Sequence, residues 1–206
     1  METNEKKQMI LLYQQKFQKY NKNPKSLHWK NKESQIIRFK VLTEAIDKKD
    51  LISNKTSILD IGCGLADFYS YLKNLGFSGK YVGTEIVPEF AKSAQKRFPE
   101  IKILSQDIFQ KPLKEKFDYV FANGIMNHKL KNIEDYRQKF IKIMFTHAKK
   151  CLGFTMASKY QKFDKNPQKI HYASPEKYFS YGMSLSEKVI LRHDYLWHDF
   201  AIFIYR

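Results

Sequence analysis

The chain has 206 residues, 43% of them hydrophobic and 15% aromatic, with a formal net charge of +16. That length and apolar content predict one domain with a substantial core and exclude wholesale disorder, and no apolar run approaches the roughly twenty residues of a membrane span. Cys63 and Cys151 lack paired metal-ligand spacing and read as reduced thiols of a cytoplasmic protein.

The charge admits two readings. An anionic partner, RNA or a phosphorylated metabolite, would use it. A lysine-rich composition would instead scatter it over every exposed face. The excess is mostly lysine, which meets phosphate as a point charge, and no arginine-rich tract or aromatic RNA-binding motif appears. The polar stretch 1–7 and the short amphipathic segment after it do not support a secretory signal.

In chain order, Ile10, Leu12, Tyr13, Phe17 and Tyr20 predict a helix over about residues 8–20. Residues 21–26 break it. A second helix is predicted from about Ser34 to Lys49, on the stripe Ile37, Val41, Ala45 and Ile46. These elements form a helical N-terminal cap over residues 1–50, ahead of an α/β core over 51–206. Trp29 reads as a pocket wall and Arg38 as a contact for an anionic group; the plainer alternatives are a core tryptophan and a solvated helix charge. Tyr20 is placed on the substrate side.

Residues 57–68, Ser-Ile-Leu-Asp-Ile-Gly-Cys-Gly-Leu-Ala-Asp-Phe, organise the rest. Ile58, Leu59 and Ile61 make a strand covered on both faces. Gly62 and Gly64 permit a sharp turn and close approach, and Phe68, Tyr69, Tyr71, Leu72 and Leu75 continue at helical spacing to a Gly76 cap. A strand, a glycine turn and a helix N-terminus make a nucleotide site in which ligand atoms approach backbone N–H groups. The third glycine of a dinucleotide fingerprint is replaced by Asp67. Asp60 before the turn repels a pyrophosphate and suits a cationic ligand.

Asp60, Gly62 and Gly64 match the Asp-x-Gly-x-Gly core that this stretch shares with motif I of the class I S-adenosylmethionine (SAM) methyltransferases, which it resembles. The βα alternation continues. A second strand over 80–86 ends in Glu85, about twenty positions beyond the turn, where an acidic residue accepts ribose hydroxyls; Val87-Pro88-Glu89 then opens a helix. The third strand, from Ile101, ends at Gln106-Asp107. The resemblance assigns Asp107 to the adenine amino group and Ile108 to the flank of the base. The fourth strand, 116–124, resembles the family's Phe-Asp-x-Val strand, whose C-terminal end faces the transferred methyl. The likeness is good over residues 57–124 and looser outside them.

The resemblance implies a three-layer Rossmann-like seven-stranded sheet with its last strand antiparallel. It also implies SAM as cofactor, held by Asp60, Gly62, Cys63, Gly64, Glu85, Ile86, Gln106, Asp107, Ile108 and Asn123, with Trp29 and Arg38 from the cap. After the fourth strand come a helix capped by Asn132, a fifth strand at 150–156, a polar and aromatic loop from Ser158 to Ser174, and a helix opened by Ser174-Pro175-Glu176. Two strands, 189–192 and 200–205, joined through His193 to Asp199, close the chain, with no appended recognition domain expected.

Methyl transfer needs an aligned acceptor and a proton sink. His128, His171 and Tyr172, in the loops after strands four and five, are the candidates for proton handling. Asn127 and Tyr160 are candidates for substrate contact. The nucleic-acid N-methyltransferase tetrapeptide is replaced by Asn123-Gly124-Ile125-Met126, and no metal-ligand cluster appears. The expected acceptor is a small, anionic or phosphorylated metabolite such as a cell-surface glycan building block, with Lys159, Lys162, Lys165, Lys169 and Arg38 near the pocket rim. An RNA methyltransferase or a non-catalytic nucleic-acid-binding module is the alternative.

Overall fold

The structure is a computed structural model that describes residues 3–21, 23–27, 31–162 and 170–206. Trp29, Lys165 and Lys169 lie outside the described residues.

Seven strands form one sheet: β1 (Ser57–Ile61), β2 (Lys80–Glu85), β3 (Lys102–Ser105), β4 (Phe117–Asn123), β5 (Ala148–Ala157), β6 (Val189–Leu196) and β7 (Asp199–Tyr205). Their order is β3-β2-β1-β4-β5-β7-β6. β1 to β5 pair in parallel, and β7 runs antiparallel to both β5 and β6. This is the Rossmann-like methyltransferase sheet.

Alternation along the strands divides the core into two faces. Leu59, Val120, Leu152 and Ile202 pack on one side, with Phe140, Ile141 and Met144 of α6 (Ile133–His147) and Tyr178 of α7 (Pro175–Met183). Ile58, Phe121, Cys151 and Phe203 pack on the other. They meet Leu42 of α2 (Lys32–Thr43), Phe68 and Leu72 of α4 (Asp67–Asn74), and Ala94 of α5 (Pro88–Arg97). α4 closes as expected at Gly76: the Phe77 N–H reaches the Leu72 carbonyl and the Gly76 N–H that of Lys73.

The N-terminal helix α1 (Thr3–Tyr20) begins about a turn earlier than its apolar spacing indicates. It lies on α5, where Tyr13 and Phe17 meet the Phe90 ring edge to face. The second predicted helix is two. α2 ends at Thr43, the Glu44, Ala45 and Ile46 amides fold back onto Val41, Leu42 and Thr43, and a short α3 (Lys48–Leu51) follows. The break brings Asp50 to the Tyr119 hydroxyl at 2.6 Å and to Lys150 at 2.6 Å, at the end of the sheet away from the glycine turn. A continuous helix would lose both contacts.

The closing hairpin is tighter than the sequence reading. β6 extends through Leu196, leaving only Trp197 and His198 before β7. Arg192 and Asp194, which interrupt the apolar run, bond to each other at 2.7 Å where the β6/β7 register shifts. A bulge accommodates the charged residues without ending the strand.

Candidate active site

The strand order reverses between β1 and β4, so the space beyond their carboxyl ends is where an open α/β sheet takes its ligand. A cavity of about 670 Å³ lies there, within the roughly 300–1,000 Å³ typical of small-molecule sites. Its wall collects Arg38, Asp60, Gly62, Cys63, Gly64, Glu85, Ile86, Gln106, Asp107, Ile108, Asn123, Asn127, His128 and Tyr172. These fourteen sites are scattered over the sequence, and the sheet brings them to one place.

The glycine turn works differently from the sequence reading. The Gly62 and Cys63 amides both donate to the Thr84 carbonyl, at 2.8 and 3.0 Å, and the Gly64 amide donates to Glu85 Oε2 at 2.9 Å. These three N–H groups are spent inside the fold rather than held out to a ligand. What the glycines provide is positive φ, +72° and +56°, and room. A Cβ on Gly62 would stand 2.7 Å from Ile125 of the loop after β4, and one on Gly64 would stand 3.0 Å from Leu27. The loop and the N-terminal segment therefore close directly onto the turn.

An acidic residue stands at or just past the end of each of the first three strands. Asp60 is buried, and the Tyr81 hydroxyl donates to it at 2.5 Å. Burial pushes its carboxyl up to about 7, the Tyr81 bond pulls against that, and neighbouring Glu85 adds to the rise. Glu85 accepts from the Gly64 amide and, through Oε1, from the Val87 amide at 2.9 Å; burial raises it and these amides oppose the rise. Each carboxylate oxygen has two acceptor directions, so Glu85 retains capacity for a diol. Asp107 Oδ1 accepts from the Phe109 amide at 2.9 Å, and its Oδ2 holds the Lys6 ammonium at 2.6 Å. An amine of α1 thus occupies the carboxylate expected to read an adenine amino group. Asp60 and Glu85 have no basic side chain bonded to them among the described residues. That fits a ligand carrying a sulfonium and an ammonium and disfavours a pyrophosphate.

The acceptor end differs from expectation at several residues. Arg38 is neither a solvated helix charge nor an open cation. It is buried, anchored by Ser34, and paired at 2.9 Å with Asp199, which also accepts from Tyr195 at 2.6 Å. His171 does not line the cavity: its Nδ1 and carbonyl face the Arg137 guanidinium at 3.1 and 2.6 Å. Tyr160 points away, 53% exposed, with its hydroxyl on Glu176. Tyr20, at the C-terminus of α1, also lies off the cavity wall. Asn127 lines the cavity while stapling loops, its Oδ1 accepting from the Ala157 amide at 2.9 Å and its carbonyl from the His171 amide at 2.9 Å. Lys159 is engaged by Ser174 at 3.0 Å and Glu176 at 3.3 Å, while Lys162 is exposed.

Sequence reasoning placed α1 in the cap and put only its Tyr20 on the substrate side, whereas the helix covers the cavity with Glu5, Gln8, Met9, Leu12 and Tyr13. It also missed Gln35, His198 and Asp199 on the wall. The amphipathic face of α1 was visible, but its covered surface is chosen by contacts such as Lys6 to Asp107, a hundred residues apart in sequence.

A family profile described as a methyltransferase domain matches residues 52–194. Protein 235L of Invertebrate iridescent virus 6, whose name marks it as a candidate methyltransferase, is 29% identical over 77 residues, covering 37% of this chain. The match spans 29% of that protein's length. The magnesium protoporphyrin IX methyltransferase of Synechocystis PCC 6803, with S-adenosylhomocysteine (SAH) bound, superposes with a TM-score of 0.64 at 16% identity, over 84% of this chain and 82% of that one. Its SAM-bound form gives 0.63 at 15% identity, over 84% and 78%. The cyclase SpnF superposes with a TM-score of 0.61 at 14% identity, over 80% of this chain and 63% of its own. The fold therefore also carries chemistry other than methyl transfer.

Proposed function

The chain belongs to the class I SAM-dependent methyltransferase family, and from that premise we propose that it moves the SAM methyl group to an oxygen or nitrogen of a small metabolite bearing an anionic group. The observation that carries this reading is the cavity at the ends of β1 to β4, where Asp60, Glu85 and Asp107 converge beneath α1. In the proposed arrangement Asp60 faces the cationic methionine part of SAM, Glu85 takes the ribose hydroxyls, and Asp107 with Ile108 takes the adenine. Asn123 and the glycine turn shape the wall between them.

A helix laid over the cavity supports a small acceptor, because it leaves little room for a polymer. Arg38 supports an anionic group on that acceptor. It lines the cavity wall as a buried guanidinium whose charge is matched by Asp199, so an anion bound beside it would share that guanidinium with Asp199. The net charge of +16 supports the second reading, methylation of RNA.

The test is a transfer assay with methyl-labelled SAM over small amines and sugars, each with and without a phosphate, and over total RNA. The expected result is label in a phosphorylated small molecule and none in RNA. Equal turnover with and without phosphate would remove the anionic group from the reading, and label confined to RNA would replace it.

A further inference from the structure

Methyl transfer leaves the acceptor oxygen or nitrogen with a proton to lose, and the cavity must hold a group that takes it. His128 lines the cavity in the loop after β4, but its Nε2 is already engaged. The Tyr13 hydroxyl of α1 lies 2.7 Å from that nitrogen, and the two rings meet edge to face with centroids 5.3 Å apart. Burial, aided by Lys16, lowers the proton affinity of His128. Burial, aided by Glu85, raises that of Tyr13. Both are therefore neutral near pH 7, with the phenol donating and the imidazole accepting, which puts the ring proton on Nδ1.

An acceptor proton cannot reach Nε2 directly while Tyr13 donates to it. A phenol oxygen that gives one hydrogen bond retains the ability to accept another, and Tyr13 also lines the cavity.

We propose that Tyr13 is a catalytic residue of the methyl transfer and that His128 is the proton sink behind it, an inference that rests on the methyltransferase reading. In the balanced step, a lone pair of the acceptor forms the new bond to the methyl carbon. The C–S bond breaks with its electrons remaining on sulfur, leaving SAH. The acceptor proton passes to Tyr13 Oη as the phenol's own proton passes to His128 Nε2. Tyr13 ends neutral, and the positive charge lost from sulfur appears on the imidazolium, which later releases its proton to water. His128 must be neutral at the start, so the rate rises with pH through its titration. Among the described residues, Glu85 of β2 acts on Tyr13 and Lys16 of α1 on His128, and Lys129 of the same loop lines the cavity.

The test compares the full-length chain with Tyr13→Phe and His128→Asn, singly and together, by three measurements. Histidine-selective NMR of the ligand-free protein should show His128 titrating below the ordinary imidazole range, and Tyr13→Phe should move that midpoint upward. Calorimetry with SAH should give affinities within about threefold of wild type. With the small-molecule acceptor the wild type turns over fastest, kcat should fall roughly 10²- to 10⁴-fold in each variant, with the double variant no worse than the poorer single. The rise of rate with pH should flatten in both. Wild-type kcat and pH profile in either variant would overturn the proposal. So would a loss expressed wholly as weaker SAH binding, because that would make Tyr13 only an anchor of α1. Failure of the wild type itself to bind SAH would instead remove the methyltransferase reading on which the pair depends.

Discussion

Asp60→Asn is expected to stabilise the ligand-free protein while removing most of its SAM affinity. The Asp60 carboxyl is buried and bonded to the Tyr81 hydroxyl, without a basic partner among the described residues, and its folded-state titration is lifted from 3.8 to about 7. A carboxyl raised in the folded state binds protons there that the unfolded chain has released. Stability from this group is therefore lost as pH rises from about 4 to about 7, and the penalty is constant above that. Asparagine keeps an oxygen for Tyr81 and has no charge to bury. The stability gap between Asp60→Asn and wild type should open with pH across that window and level off at up to roughly 4 kcal/mol, at 1.36 kcal/mol per pKa unit. SAM affinity should fall at least tenfold, as expected for a hydrogen-bonding charge lost opposite a cation. Chemical denaturation at several pH values, beside SAM calorimetry, checks both halves. A variant less stable than wild type at neutral pH would contradict the burial argument. Because a cation favours ionised Asp60, binding below pH 7 should also release protons.

Arg137→Met should separate acceptor binding from cofactor binding. Arg137 is fully buried on α6. Its Nε holds the Met126 carbonyl at 2.9 Å in the loop after β4, and its Nη2 holds the His171 carbonyl at 2.6 Å in the loop after β5. These loops carry His128 and Tyr172. Losing the guanidinium recovers its own desolvation penalty but orphans two carbonyls and the His171 ring nitrogen. The orphaned acceptors outweigh the recovered penalty, and a net loss of roughly 1–3 kcal/mol is expected. The carboxylates proposed to hold the cofactor, at the ends of β1 to β3, are not bonded to Arg137, so SAH affinity should be nearly unchanged while acceptor KM rises at least tenfold. Arg137→Lys should rescue little, because an ammonium cannot span both carbonyls in the fork geometry. Equal losses in SAH and acceptor binding would contradict the division of the cavity.

Much of this arrangement was legible because it is local. Asp60, Gly62 and Gly64 sit within five positions, and Glu85 and Asp107 each follow an apolar run long enough to read as a strand. The parallel order follows from that alternation, while the antiparallel closing strand was implied by the resemblance to the methyltransferases. The use of the glycine amides was not legible, since donation to Thr84 and Glu85 depends on how β2 lies against β1. Ala66 gave no signal either: it adopts positive φ, +58°, at the start of α4, a conformation its side chain disfavours. Tyr160 and His171 were drawn to the site because aromatic and histidine residues in a loop read alike, whichever way the loop faces. Arg38 drew attention as a charge, but its partner Asp199 lies 161 positions away.

Cofactor binding in the cavity at the ends of β1 to β4 is the event on which every proposed role depends, and calorimetric titration of the ligand-free chain with SAH tests it most directly. Saturable single-site binding of SAH is predicted, with no binding of NADH. Glu85→Ala should weaken SAH by roughly 1–3 kcal/mol, since Glu85 holds the Gly64 amide of the glycine turn and is proposed to take the ribose diol. Saturable binding of NADH with none of SAH would contradict the cofactor assignment.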